Sequence, residues 1–118
     1  MNNKILIVED DAVFCKLLTR FLSKNDYEVS DAQNGADALQ FLKNNTFGHA
    51  ILDYRLPDMN GIDILQKIKE KTPETKVILI SRYGDEGVAN KAIYAGADAF
   101  VSKPINPTEL LQVIKGTT

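Results

Sequence analysis

The stretch Ala50-Ile51-Leu52-Asp53-Tyr54-Arg55-Leu56-Pro57-Asp58-Met59-Asn60-Gly61 joins an apolar run to a turn-rich segment through a single carboxylate. A short apolar run bounded by turn residues reads as a buried strand, and the Pro/Asp/Asn/Gly cluster after it reads as a surface loop. Asp53 is therefore expected at the carboxyl end of a strand, half in the core and half at its rim, where open α/β sheets place their ligands. It is the first candidate for a reactive group.

Working outward, Ile5 to Val8 is a continuous apolar run suited to a strand buried on both faces. It stops at Glu9-Asp10-Asp11, where Asp10 or Asp11 can cap a following helix. Phe14, Leu17, Leu18, Phe21 and Leu22 recur at helical spacing, so an amphipathic helix is expected over roughly 11–24 with these residues inward. Tyr27-Glu28-Val29-Ser30 is a weaker strand, expected nearer a sheet edge, and Ala38, Leu39 and Leu42 mark a second helix after Asn34-Gly35. Beyond the central loop, Ile62, Leu65 and Ile68 line a third helix, and Lys76 to Ser81 forms a fourth strand ending in a hydroxyl. A short helix over 85–95 carries Val88, Ala92, Ile93 and Ala95. Ala99-Phe100-Val101-Ser102 is a fifth strand leading into Lys103-Pro104, and a last helix from near Pro107 turns Leu110, Leu111 and Ile114 inward.

Five strand–helix units with short connections predict a doubly wound α/β fold, because right-handed crossovers make the sheet parallel and cover both faces. The whole chain, 1–118, reads as one domain. The formal charge of −2 argues against a large phosphate-backbone-binding face, so no direct nucleic-acid contact is expected. No apolar run approaches a membrane span and the N-terminus lacks a signal-peptide core, which makes the cytoplasm the expected location. Cys15 has no internal partner and reads as a small, partly buried packing residue; His49 reads as an ordinary strand-edge residue.

A parallel sheet brings the carboxyl ends of its strands to one rim, and with them Glu9, Asp10, Asp53, Ser81 and Lys103. Clustered carboxylates repel, and a bound divalent cation removes the conflict. Oxygen ligands without histidine or cysteine favour Mg2+ over zinc. With Asp53 kept ionised, it can act as a nucleophile on phosphorus and form an aspartyl-phosphate. The metal and Lys103 would offset charge on the phosphoryl oxygens, and the Ser81 hydroxyl can donate to one of them.

This arrangement resembles the receiver domain of two-component response regulators. The matching segments are Ile5-Leu6-Ile7-Val8-Glu9-Asp10-Asp11, Leu52 to Gly61, Ile78-Leu79-Ile80-Ser81 and Gly96-Ala97-Asp98-Ala99-Phe100-Val101-Ser102-Lys103-Pro104. The resemblance implies a flavodoxin-like five-stranded (βα)5 sheet in the order 2-1-3-4-5. It implies that Asp53 is the phosphoacceptor, that Asp10 binds Mg2+ directly and Glu9 through metal-bound water, and that Arg55 contributes its backbone carbonyl. Ser81 and Phe100 match the family's switch pair, Lys103 matches the lysine that contacts the phosphoryl group, and Lys103-Pro104 is expected to be cis. The implied partner is a sensor histidine kinase or a histidine phosphotransfer protein. A homodimer is expected through the helix 4, strand 5 and helix 5 face, including Tyr94, Phe100 and Leu110, and an effector domain beyond residue 118 is compatible with the sequence.

Arg82 departs from the family pattern, which usually places a small residue after the switch hydroxyl. With Tyr83 it is a candidate modulator of phosphate lifetime. The protein is expected to be no enzyme beyond catalysing its own phosphorylation and dephosphorylation. Three alternatives compete. A receiver-like binding module that works without phosphorylation conflicts with the complete Glu9/Asp10/Asp53/Ser81/Lys103 set. A small aspartyl-nucleophile phosphatase would carry a second aspartate where Arg55 stands. A flavodoxin-like redox protein would need a phosphate loop after Val8 that this chain lacks.

Overall fold

The computed structural model describes residues 2–82 and 87–118. Five strands, β1 (Lys4–Val8), β2 (Glu28–Ala32), β3 (His49–Asp53), β4 (Lys76–Ser81) and β5 (Ala99–Ser102), alternate with five helices. These are α1 (Ala12–Lys24), α2 (Gly35–Asn44), α3 (Gly61–Lys71), α4 (Val88–Tyr94) and α5 (Pro107–Thr117). All strand pairs are parallel and the order is β2-β1-β3-β4-β5, as the resemblance implied. The weakly apolar second strand sits at an edge, where one flank needs no burial.

Alternation along the inner strands divides the core into two layers. Leu6, Val8, Ala50, Leu52, Val77 and Leu79 pack with Ala38 of α2, Ile64, Leu65 and Ile68 of α3, and Val88 and Ala92 of α4. Ile5, Ile7, Ile51, Ile78 and Ile80 pack with Cys15, Leu18 and Leu22 of α1 and Leu110, Leu111 and Ile114 of α5. Such two-sided burial is why these strands read as unbroken apolar runs. Asp98 closes the start of β4: its backbone N–H donates to the Val77 carbonyl at 2.8 Å, and its carboxylate accepts from Val77 N–H and Lys69 Nζ, each at 2.8 Å.

Several expectations need correction. Leu17 is 54% exposed and Ile93 is 55% exposed. The inward stripe of α1 runs through Cys15, Leu18 and Leu22, with Phe14 and Phe21 half-buried beside it, and that of α4 through Val88 and Ala92, so Leu17 and Ile93 are the residues of each set that face out. His49 is buried at the start of the central strand, not at an edge, and burial lowers its pKa. Cys15 is fully buried, and desolvation pushes its thiol up to about 11, with Asp31 adding to the rise. β2 begins at Glu28 and continues to Ala32, later than the apolar signal suggested. The expected helix over 85–95 is observed as Val88–Tyr94, and Tyr83 lies outside the described residues.

Candidate functional site

Glu9 follows β1 directly, and its backbone N–H donates to the Ala32 carbonyl at 3.0 Å, which continues the ladder past the strand end. The next turn is set by Asp11, the N-cap of α1, whose carboxylate accepts from the N–H groups of Val13 and Phe14, both at 3.1 Å. Between the buried Glu9 and this cap, Asp10 projects into solvent. Asp53 is the last residue of β3 and is only 4% exposed. Ser81, the last residue of β4, is fully buried, and its carbonyl accepts from Lys103 N–H at 2.7 Å. The Lys103-Pro104 peptide is cis.

Three expected ligands converge. One carboxylate oxygen from each of Glu9, Asp10 and Asp53 lies within 4.8 Å of the others. Lys103 reaches in from the end of β5, its Nζ 2.5 Å from Glu9 Oε1 and 3.2 Å from Asp53 Oδ2. Its stem lies beside α1, with Nζ 5.5 Å from the centre of the Phe14 ring. Glu9 Oε2 accepts from Asp11 N–H at 3.1 Å, whereas Oε1 makes its ion pair without hydrogen-bond geometry. A buried carboxylate oxygen held only by charge suits a further cation, and an all-oxygen donor set suits a hard one. The acidic trio could hold a metal ion.

The electrostatics support that fit. Burial pushes the Glu9 carboxyl up to about 7, against the lowering pull of Lys103 and Asp11 N–H, and neighbouring Asp53 adds to the rise. Burial would lower the Lys103 ammonium, but Glu9 and Asp53 outweigh it and hold its pKa above the ordinary value. For Glu9 the folded value lies above the unfolded one, near 4.5. Its favourable contribution is therefore complete below about pH 4.5 and lost as pH rises through 7. The metal-free protein is expected to be less stable at pH 8 than near pH 5, by on the order of 2 kcal/mol. Urea unfolding of wild type and Glu9→Gln at the two pH values checks this: the variant should lose most of the difference.

Arg55 turns its side chain outward, with the guanidinium 5.7 Å from the centre of the Tyr54 ring. Its backbone stays near the site, where the N–H lies 3.4 Å from Asp53 Oδ1. Phe100 pairs with Leu79 across β4 and β5 and packs, half-buried, on the α3/α4 side of the core. Arg82 is exposed just past Ser81. Sequence reasoning missed the reach of Asp58, whose carboxylate bonds to α2, and the second role of Asp11 as donor to Glu9. Neither has a local signal, since each depends on which elements the fold places side by side.

Residues 5–115 match the family model for the response regulator receiver domain. The transcriptional regulatory protein SrrA of Staphylococcus aureus is 32% identical over 115 residues, which make up 98% of this chain and 47% of SrrA. A cyclic di-GMP phosphodiesterase of Thermotoga maritima is 37% identical over 109 residues, covering 92% of this chain and 29% of that protein. Among solved structures, the BeF3-activated DrrB receiver domain superposes with a TM-score of 0.89 at 37% identity, covering 99% of this chain and 97% of that one. A CheY-like receiver domain protein of Methanospirillum hungatei gives 0.92 at 34%, covering 98% and 93%. The chain belongs to the response regulator receiver domain family, and it spans less than half the length of these two curated relatives. Among the described residues, no helix is long and apolar enough to cross a membrane.

Proposed function

We propose that this receiver takes a phosphoryl group onto Asp53 from a phosphohistidine of a sensor histidine kinase or histidine phosphotransfer protein, with Mg2+ held by Glu9, Asp10, Asp53 and the Arg55 carbonyl. The observation that carries this reading is the convergence of Glu9, Asp10, Asp53 and Lys103 from three separate strand ends. The metal, when bound, supplies positive charge to the phosphoryl oxygens and keeps the carboxylates ionised.

An Asp53 oxygen attacks phosphorus while the bond to the histidine nitrogen breaks, and that nitrogen leaves with the electron pair. Lys103 then transfers its attraction from the Asp53 carboxylate to the new phosphoryl oxygens. The Ser81 hydroxyl donates to one of those oxygens, and Phe100 turns inward into the space that movement opens. This biases a two-state equilibrium read on the α4, β5 and α5 face, where Tyr94 is 95% exposed. Homodimerisation or effector contact uses that face through Tyr94 and its neighbours, whereas Leu110, expected on it, is fully buried in the core. The match covers 47% of SrrA, which leaves room for an effector domain in a longer protein of this kind. The chain's chemistry is limited to its own phosphorylation and dephosphorylation, in the cytoplasm. On the donor side, Val13 in the first turn of α1 is 80% exposed and offers the phosphohistidine partner an apolar contact beside the rim.

Intact mass after incubation with acetyl phosphate tests the reading. A single phosphoryl adduct that requires Mg2+ and is absent in Asp53→Asn supports it. No adduct with any donor would favour a module that binds partners without phosphorylation, and sustained phosphate release from many substrates would favour a phosphatase.

Arg82 is exposed and directly follows Ser81 at the end of β4, which adds a cation beside this rim. Arg82→Ala is expected to slow phosphorylation by acetyl phosphate a few-fold, because a rim charge acts mainly on the approach of an anion. Rates of adduct formation and decay measured by mass check it, and unchanged kinetics in both directions rule out a gating role.

A further inference from the structure

Asp58 lies in the loop between β3 and α3, but its carboxylate serves another element. Oδ1 accepts from Gly35 N–H at 2.8 Å and Oδ2 from Ala36 N–H at 2.9 Å. These are first-turn amides of α2, where the helix dipole favours an anion. The Gly35 N–H, followed by that of Ala36, holds the Asp58 carboxyl below its usual range. α2 has its own cap without this contact, since Asn34 Oδ1 accepts from Asp37 N–H at 2.8 Å. Next to Asp58, Met59 packs so closely on Gly35 that a Cβ there would lie 2.4 Å from the Met59 Cγ and Sδ. The loop is therefore gripped by α2 at its tip.

Its base is closed as well. Gly61 N–H donates to the Tyr54 carbonyl at 2.8 Å, Leu56 N–H donates to the Met59 carbonyl at 3.2 Å, and Arg55 bridges Asn60. Tyr54 N–H, in turn, donates to the Ile80 carbonyl of β4 at 2.8 Å. Arg55 thus lies between this closed base and the tip that Asp58 holds against α2.

From this geometry we propose that Asp58 is a positioning residue for the metal site: by clamping the 54–60 loop to the N-terminus of α2, it holds the Arg55 carbonyl in place and couples α2 to metal occupancy. The inference rests on Arg55 as a metal ligand, as proposed above. Outer residues that orient a ligand typically change metal affinity by about 10–100-fold when removed. Coupling is reciprocal, so metal binding must also steady the contact at Gly35 and Ala36.

The test is an Mg2+ titration of the full chain by amide NMR, with hydrogen exchange at Gly35 and Ala36 and thermal unfolding of each variant. Asp58→Ala is expected to bind Mg2+ roughly 10-fold more weakly. Asp58→Asn keeps one acceptor oxygen and should lose only a few-fold. In wild type, Mg2+ should slow exchange at both amides; in Asp58→Ala their exchange should not respond to the metal. A folded Asp58→Ala with wild-type affinity would reduce Asp58 to a helix cap and overturn the proposal. Should that variant fail to fold, wild-type affinity in Asp58→Asn overturns it equally. A wild-type protein that binds no Mg2+ would defeat the metal-site reading itself, a result distinct from equal binding by wild type and variant.

Discussion

Alanine at position 61 is expected to destabilise the protein by about 3 kcal/mol or more and to disorder the Asp53 end of β3. A Cβ at Gly61 would lie 2.3 Å from the Asp53 carbonyl oxygen and 3.0 Å from both the Asp53 carbonyl carbon and Leu79 Cδ1. The first obstacle is backbone, so no rotamer change relieves it. Gly61 does not have a left-handed φ, unlike Gly87 and Gly96; what it supplies is close approach of α3 to the strand end. Relief requires α3 or the end of β3 to shift; a shift of the strand end carries the Asp53 carboxylate with it, and a shift of α3 loosens the packing on Leu79. Urea unfolding of Gly61→Ala measures the stability loss, and Mg2+ titration of the residual folded protein should show weakened binding. Wild-type stability would mean that the strand end yields without cost.

Lys103→Ala is expected to separate metal binding from phosphoryl transfer. The ammonium lies between Glu9 and Asp53, at 2.5 and 3.2 Å, so it competes electrostatically with any cation the carboxylates attract. Its removal should leave Mg2+ binding intact or tighter. Phosphoryl transfer should fall by about 100-fold, the scale for loss of one preorganised donor to a developing oxyanion. Removing one partner of a buried ion pair ordinarily costs about 3–5 kcal/mol. Here the cost should be smaller, because Glu9, already pushed up to about 7 by burial, can take a proton instead of remaining an uncompensated charge. Rates of adduct formation from acetyl phosphate, set beside Mg2+ affinities, check both halves. A wild-type rate in the variant would remove Lys103 from the chemistry.

Much of this was legible in the sequence. Strands that are buried on both faces leave unbroken apolar runs, so β1, β3 and β4 and the polar residues that end them could be located directly. Parallel topology then placed Glu9, Asp10, Asp53, Ser81 and Lys103 on one rim. Strand order was not contained in spacing; it followed from resemblance, because many orders satisfy the same local pattern. Helix faces were less secure. Leu17 and Ile93 are apolar at helical spacing yet exposed, and only the packing of α1 and α4 on the sheet distinguishes them from Leu18 and Ala92. The exposure of Arg55 and the reach of Asp58 to α2 depend on contacts between elements remote in sequence, so turn composition alone could identify the loop but not what it touches.

The identity of the phosphoacceptor is the claim on which the rest depends. It is tested most directly by phosphorylating the protein with acetyl phosphate and Mg2+, reducing the acyl phosphate with borohydride, and mapping the resulting homoserine by peptide mass spectrometry. The expected result is homoserine at position 53 alone, with none formed when Mg2+ is chelated. Homoserine at Asp10 or Asp58, or an unmodified Asp53 after full exposure to donor and metal, would contradict it.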